Sequence, residues 1–342
     1  MELLDHLALG FSVALSFENL FYCFIGVLLG TAIGVLPGLG PLPTTAMLLP
    51  LTFTLEPTSA LIMLSGIYYG AQYGGSTTAI LVNLPGESSS VVTCLDGYQM
   101  ARQGRAGPAL AIAALGSFFA GTVATLFIAA AAPALASIAF MFGPAEYFSL
   151  ITLGLICAVM LAGGSILKAL AMVVTGLALG LVGTDVNSGA TRYTFGIVEL
   201  WDGLEFVAVA MGVFAFAEIM ANVTQKQDRQ ILAEKITNLW PSRKDFREAA
   251  PAAVRGTMLG SMLGVLPGGG AVLSSFTSYA VEKRISKTPE MFGKGAVAGL
   301  AGPESANNAG AQTSFIPMLT LGIPANALLA LLIGAMMIHN IQ

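Results

Sequence analysis

Charge is what this chain has least of. Only 10% of its 342 residues are Asp, Glu, Lys or Arg, against about 25% in an ordinary soluble domain. That scarcity excludes a soluble globular protein, and no nucleic-acid partner is expected of it. Histidine is nearly missing, with His6 and His339 standing alone, and the three cysteines (Cys23, Cys94, Cys157) lie far apart. No Cys or His cluster has metal-ligand spacing, and the phosphate-binding pattern GxxxxGK[ST] does not occur. An enzyme is therefore not expected, nor a resident cofactor or metal, and the cysteines read as packing residues rather than a disulfide framework.

Apolar residues fill the space that charge leaves. They make up 55% of the chain, mean hydropathy is +0.78, and there are 40 glycines and 16 prolines. The apolar runs are long and do not alternate in twos, so they predict membrane helices rather than a barrel. High Gly and Pro suit such helices. Apolar segments fall at 17–55, 58–101, 107–133, 145–162, 166–184 and 203–222, then at 252–281 and 295–340. Seven of the fifteen Lys and Arg cluster in 226–255 (Lys226, Arg229, Lys235, Arg243, Lys244, Arg247, Arg255). By the positive-inside rule that stretch is cytoplasmic. The acidic segment 185–205 is expected outside.

One sentence of this sequence is written twice. Gly26 to Gly40 reads GVLLGTAIGVLPGLG, and Gly256 to Gly270 reads GTMLGSMLGVLPGGG, identical at nine of fifteen positions at a constant offset (264 − 34 = 230). Each copy breaks an apolar stretch at Leu-Pro-Gly. Neither arm has the ~20 residues of a full crossing, so 17–55 and 252–281 are expected to be re-entrant hairpins. The charge distribution places the first on the outside and the second on the cytoplasmic side. The expected architecture is an all-α polytopic membrane protein, an inverted-topology repeat with two re-entrant hairpins and two discontinuous transmembrane helices. The first repeat spans 1–225. Residues 226–251 form a cytoplasmic linker and an interfacial helix. The second repeat, 252–342, is expected to be truncated, with its broken helix at 295–340.

Paired helix breaks in two halves of a membrane protein point to a transporter's binding site. Backbone N–H groups at Pro37, Gly38 and Gly40, and at Pro267, Gly268 and Gly270, can hold an anion at the start of each returning arm. Thr44 and Thr45, and Ser274 and Ser275 at the same offset, add hydroxyls. On the broken helices, Ser76, Thr77, Thr78 and Asn83 in the first half face Asn307, Asn308, Thr313 and Ser314 in the second as candidate ligands for substrate or ion. The hydroxyls of Ser76, Thr77, Thr78, Thr313 and Ser314 can hold a transient Na+. Glu87 and Glu304 sit in the break regions, and an ionisable group at membrane depth is functional by default. The stripe Gly26/Gly30/Gly34 and its copy are explained by close helix packing alone.

Several stretches resemble one known family. They are Gly34-Val35-Leu36-Pro37-Gly38-Leu39-Gly40-Pro41, Tyr69 to Leu81, Asn83-Leu84-Pro85-Gly86-Glu87, Asp96 to Arg105, Gly264 to Gly270, and Gly302 to Ala309. All are similar to the large membrane (permease) subunit, TctA-type, of tripartite tricarboxylate transporters. The resemblance implies a secondary active transporter of the bacterial inner membrane, working with a small four-helix membrane subunit and a periplasmic solute-binding protein. The substrate would be a di- or tricarboxylate such as citrate, and the driving force an ion gradient with Na+ or H+ as coupling ion. Members of the family run to roughly five hundred residues, so a fragment is expected here. The alternative from another class is a channel or a structural membrane subunit of a larger complex, which would need no enclosed site.

Overall fold

A computed structural model describes residues 2–36, 39–139, 165–184, 190–201, 203–204, 238–266 and 270–341, with scattered positions at 143–159, 209 and 220. Most of the expected helices 145–162 and 203–222, residues 226–237 of the 226–251 linker, and Pro37, Gly38, Pro267 and Gly268 lie outside the described residues.

The chain is mostly helical. After α1 (Glu2–Ala14), α2 (Phe17–Gly34) starts at Ser16, whose hydroxyl accepts from the Asn19 N–H. Beyond the break come α3 (Pro41–Leu48) and the long α4 (Pro57–Val82), then α5 (Val91–Met100), a π-helical turn (Ala101–Arg105) and α6 (Ala106–Ala139). Helix α7 (Ile166–Gly180) precedes a two-stranded ribbon, in which β1 (Gly183–Thr184) pairs antiparallel with β2 (Thr191–Arg192). The second half follows as α8 (Arg243–Gly264), α9 (Gly270–Ile285), α10 (Val297–Thr313), α11 (Phe315–Leu321) and α12 (Ala327–Ile338). Helix α8 begins nine residues before the apolar segment expected at 252 (252 − 243 = 9). A reciprocal cap explains this: the Ser242 hydroxyl accepts from the Asp245 N–H, and Asp245 accepts from the Ser242 N–H. Residues 243–251 are thus the first turns of the hairpin helix and not a separate interfacial element.

Among the described residues, two stretches, Phe17–Gly34 and Ser88–Ala131, are long and apolar enough to cross a membrane. The distribution of side chains is the stronger membrane signature. Phe17, Phe118, Leu167 and Met262 point outward, each more than 70% exposed, while Gln72, Ser76, Thr93, Glu304 and Asn307 are buried. Water would favour the reverse, and lipid favours this.

The two halves pack by one rule. Gly26, Gly30 and Gly34 of α2 press on the backbone of Met63, Ile67 and Ala71 in α4. Gly256, Gly260 and Gly264 of α8 press on Gly302, Ala306 and Gly310 in α10. A Cβ at Gly30 would stand 2.8 Å from Ile67 Cα, and one at Gly260 would stand 2.8 Å from Ala306 Cα. The glycines repeat at 230, but their partners repeat at 239 (302 − 63, 306 − 67, 310 − 71). The same 239 relates the residues that end the broken helices, Asn83 (φ 57°) and Gly322 (φ 66°), both left-handed. Asn and Gly tolerate that conformation best. It also relates Glu87 and Asn326, which stand at the N-cap of the helical turn after each break. The second half of the repeat, similar only in kind by sequence, thus acquires a residue-by-residue register.

Candidate functional site

The helix that follows each Leu-Pro-Gly motif starts against the break of the broken helix in its own half. Gly40 lies against Gly86 and Glu87, where an added Cβ would meet Gly86 O at 3.0 Å. Gly270 lies against Asn326, 3.5 Å from Nδ2 by the same measure. The returning arms then cross over. Helix α9 packs on residues 88–90 and α5 of the first half, and α3 packs on α12 of the second. Four chain segments therefore converge where the backbone is interrupted.

Between them, α4 and α10 cross with falling partner numbers, in an antiparallel sense. Gln72 Nε2 donates to Asn307 Oδ1 at 2.6 Å, and Ser76 Oγ donates to Glu304 Oε2 at 2.9 Å. Gln72 and Ser76 are one helical turn apart, as are Glu304 and Asn307, so the four side chains close a ring across the interface. Thr93 of α5 donates its hydroxyl to Glu304 Oε1. Asn307 Nδ2 extends the ring to Glu87 Oε1 at 3.3 Å, and Ser89 donates to the same oxygen. Asn308 turns the other way, donating to Ser117 Oγ of α6 at 2.7 Å and to the Glu304 carbonyl at 2.8 Å. Glu304 is only 1% exposed, and Glu87 is half-buried. No Lys, Arg or His hydrogen-bonds either carboxylate among the described residues. Nor is there any group of three His, Cys, Asp or Glu side chains there that could hold a metal ion.

Of the expected site residues, Ser76, Glu87, Glu304 and Asn307 fall in one network, with Asn308 at its edge. The others are distributed around it. Thr44 and Thr45 are fully buried, and neither hydroxyl has a partner. Ser274 donates to Gly270 O at 2.8 Å and Ser275 to Val272 O at 3.0 Å, both within their own helix. Thr78, Thr313 and Ser314 likewise bond carbonyls of their own helices. Thr77 is only partly buried and bonds Tyr73 O at 3.3 Å, and Asn83 is exposed. Of the expected Na+ ligands, Thr77, Thr78, Thr313 and Ser314 thus bond carbonyls of their own helices, while Ser76 bonds Glu304.

Sequence reasoning missed Gln72, Ser89 and Thr93, which join the network, and Asp96, which supports it. Asp96 Oδ1 accepts from the N–H groups of Gly293, Gly295 and Ala296 at 2.9, 2.8 and 2.8 Å, capping the N-terminus of α10 from a distant helix. A carboxylate there satisfies orphan donors and opposes the positive end of the helix dipole. Nearby, Gln103 donates to Lys294 O at 2.8 Å, and Arg105 pairs with Asp245 at 2.5 Å. The segment 96–105 thus ties down the starts of both α8 and α10. At the base of the second hairpin, Arg255 holds the buried Glu282 through two bonds of 2.8 and 2.6 Å.

A helical membrane protein with a polar site buried between two broken helices is what these features define. The chain belongs to the tripartite tricarboxylate transporter TctA family, whose model matches residues 20–342. It is 62% identical over 341 residues to an "Uncharacterized 52.8 kDa protein in TAR-I ttuC' 3'region" of Agrobacterium vitis, covering 100% of this chain and 68% of that relative. An "Uncharacterized protein in TAR-II ttuC' 3'region" of the same organism is 67% identical over 82 residues, 24% of this chain and 34% of that one. No solved structure matches. Family membership makes this a membrane component of a tripartite transport system and not a member of an enzyme family.

Proposed function

We propose that the chain carries the substrate path of a secondary active transporter of the bacterial inner membrane, taking up a di- or tricarboxylate handed over by a periplasmic binding protein. The observation that carries this reading is the buried network of carboxylates, amides and hydroxyls between α4 and α10, joined at Glu87 to the first helix break, where the returning arm α9 also packs. Such a site suits the binding of a polar solute away from lipid. The segments 17–55 and 252–281 act as re-entrant hairpins entering from opposite faces, supported by the antiparallel crossing of α4 and α10 and by the matched packing of the two halves. A small four-helix membrane subunit completes the permease, and uptake is symport with Na+ or H+. With no basic side chain bonded to the network among the described residues, an anionic substrate is held by N–H groups at Gly40 and Gly270, by hydroxyls and amides, and by a co-transported cation.

Uptake of a labelled carboxylate panel into vesicles holding all three components, with and without a sodium gradient, tests the reading. Saturable, gradient-dependent accumulation is expected, and passive, unsaturable flux would favour a channel. The variant Thr44→Val plus Ser274→Ala should lower uptake while leaving membrane insertion intact. Thr44 has no partner to lose and valine matches its shape, while alanine at Ser274 gives up one bond to Gly270 O without adding bulk against Gly310. Unchanged uptake would remove those hydroxyls from the site.

A further inference from the structure

The polar network is one-sided although the packing around it is two-fold. Under the 239 relation, Ser76 corresponds to Phe315, Gln72 to Ala311, Asn307 to Tyr68 and Glu304 to Ser65. On that opposite side Tyr68 and Phe315 lie ring to ring, with centroids 6.1 Å apart, inside an apolar cluster with Met318, Leu328 and Leu332. The carboxylate chemistry is therefore present once per pair of repeats, in the half that leads through α5 to Arg102 and Arg105. By charge that is the cytoplasmic half.

The network also holds two carboxylates, and no cation is bonded to either among the described residues. Glu304 receives hydroxyl donors on both oxygens, and Glu87 adds the second carboxylate through Asn307. Gln72 Oε1, on a residue 1% exposed, is buried with no donor at all. The amide of Gln72 is fixed by its bond to Asn307, and it lies one turn from Ser76 on the face that meets Glu304. An unpartnered buried acceptor and an uncompensated buried carboxylate in one network are each costly. A cation bound within the network would offset the carboxylate's charge and offer the acceptor a partner. The donors available are carboxylate, amide and hydroxyl oxygens, the ligand type of a hard ion, and a proton on Glu304 would satisfy the same acceptors. The titratable groups facing this point are Glu87, Tyr73 and Cys94, with Tyr68 next to Glu87; none supplies positive charge.

We propose that Glu304, with Ser76, Thr93 and Gln72 Oε1, forms the site of the coupling cation, one monovalent ion (Na+ or H+) bound with each substrate. This rests on the transport reading above, and it moves the ion from the hydroxyl clusters to the α4–α10 crossing. Bound there, the cation offsets the charge of Glu304, which would otherwise add to that of Glu87 in repelling a carboxylate substrate.

The test uses the full-length protein with its membrane partner subunit, purified in detergent, and reads thermal stability in two titrations. One varies NaCl against choline chloride at fixed pH, and the other varies pH at fixed choline chloride. Wild type is expected to be stabilised by Na+ if sodium is the ion, or by falling pH if the proton is. Glu304→Gln should flatten that response, and Ser76→Ala should weaken the apparent cation affinity about tenfold. Ser76→Ala decides the matter if Glu304→Gln does not fold. An unaltered cation response in both variants, or no response in wild type to either ion, would overturn the site. Substrate counterflow by wild type in vesicles is measured in parallel. Its absence removes the transport reading, whereas counterflow with an unaltered Glu304→Gln response removes only the ion site.

Discussion

Asp96 offers the sharpest quantitative check on how α10, which carries Glu304 and Asn307, is held in place. Its carboxylate is fully buried and one oxygen takes three backbone N–H groups, from Gly293, Gly295 and Ala296. Gly299 leaves room for it: a Cβ there would stand 2.9 Å from Asp96 Cγ. Replacing Asp96 with Ala removes the acceptor of three N–H groups, of which Gly295 is buried, Ala296 half-buried and Gly293 exposed. A stranded buried donor costs about 1–3 kcal/mol and water can serve Gly293, so the low end for the other two gives about 2 kcal/mol. Loss of a charge at the positive helix end adds up to ~2 kcal/mol. Asp96→Asn keeps an acceptor at Oδ1 and loses only the charge, for about 1–2 kcal/mol. The expected order is therefore wild type, then Asn, then Ala. Denaturant unfolding of the detergent-solubilised protein measures it, and hydrogen exchange at residues 293–296 localises it. A loss of 3 kcal/mol corresponds to roughly 150-fold faster exchange through local opening. An Ala variant within about 0.5 kcal/mol of wild type, or one whose exchange at those amides is unchanged, would show that the cap does not hold α10.

Two further predictions concern packing and pH. Gly30→Ala and Gly260→Ala each push a methyl group into the backbone of the facing helix and should cost about 1–3 kcal/mol or more. Gly121→Ala on α6, with nothing within 4 Å, should be neutral or gain up to about 1 kcal/mol from helix propensity; equal effects in all three by thermal unfolding would refute the close-packing account. At the Arg105–Asp245 pair, burial alone would raise the pKa of Asp245, but bonds from Ser242 and the Arg105 guanidinium outweigh it and hold the carboxyl below its usual value. A depressed carboxylate pKa stabilises the fold fully above the unfolded-state value of about 3.9 and loses that contribution as pH falls through the folded value below it. Asp245→Asn should thus be less stable than wild type at pH 7, with the gap closing below about pH 4. A gap that stays constant from pH 7 to pH 3 would contradict this.

The division between what could be read from the residues and what could not follows from how each contact is made. The first hairpin and its copy were legible letter by letter because Gly26, Gly30, Gly34 and their counterparts touch backbone, where no other side chain fits. The helices they touch present only carbonyls and Cα atoms at the contact. Met63 can therefore stand where Gly302 stands, and Ile67 where Ala306 stands, and the register vanishes from the sequence while surviving in the packing. The breaks were half legible: Asn83 and Gly322 share a left-handed turn that two residue types can make. The polar ring was the hardest to read. Its bonds join residues 228 and 235 positions apart, and Asp96 reaches donors 197 to 200 positions away. No local pattern announces such pairs, although Gln72 sits among the small residues around Tyr69 to Thr78 and Thr93 follows the serines after Glu87.

This contrast has a physical basis. Helix packing against lipid is a problem each half must solve for itself, so its solution is duplicated. A buried charge is a cost the protein must contain, and a second Glu at position 65 or a second Gln at 311 would add another uncompensated site to the same crossing. The apolar side, with Tyr68 against Phe315, leaves the buried carboxylates on one side of the two-fold frame. Polar pairs that served packing alone would be expected on both sides of the crossing, as the glycine contacts are. Their confinement to one side, with Glu304 at the centre and an acceptor left open at Gln72, is the asymmetry on which the proposed cation site rests.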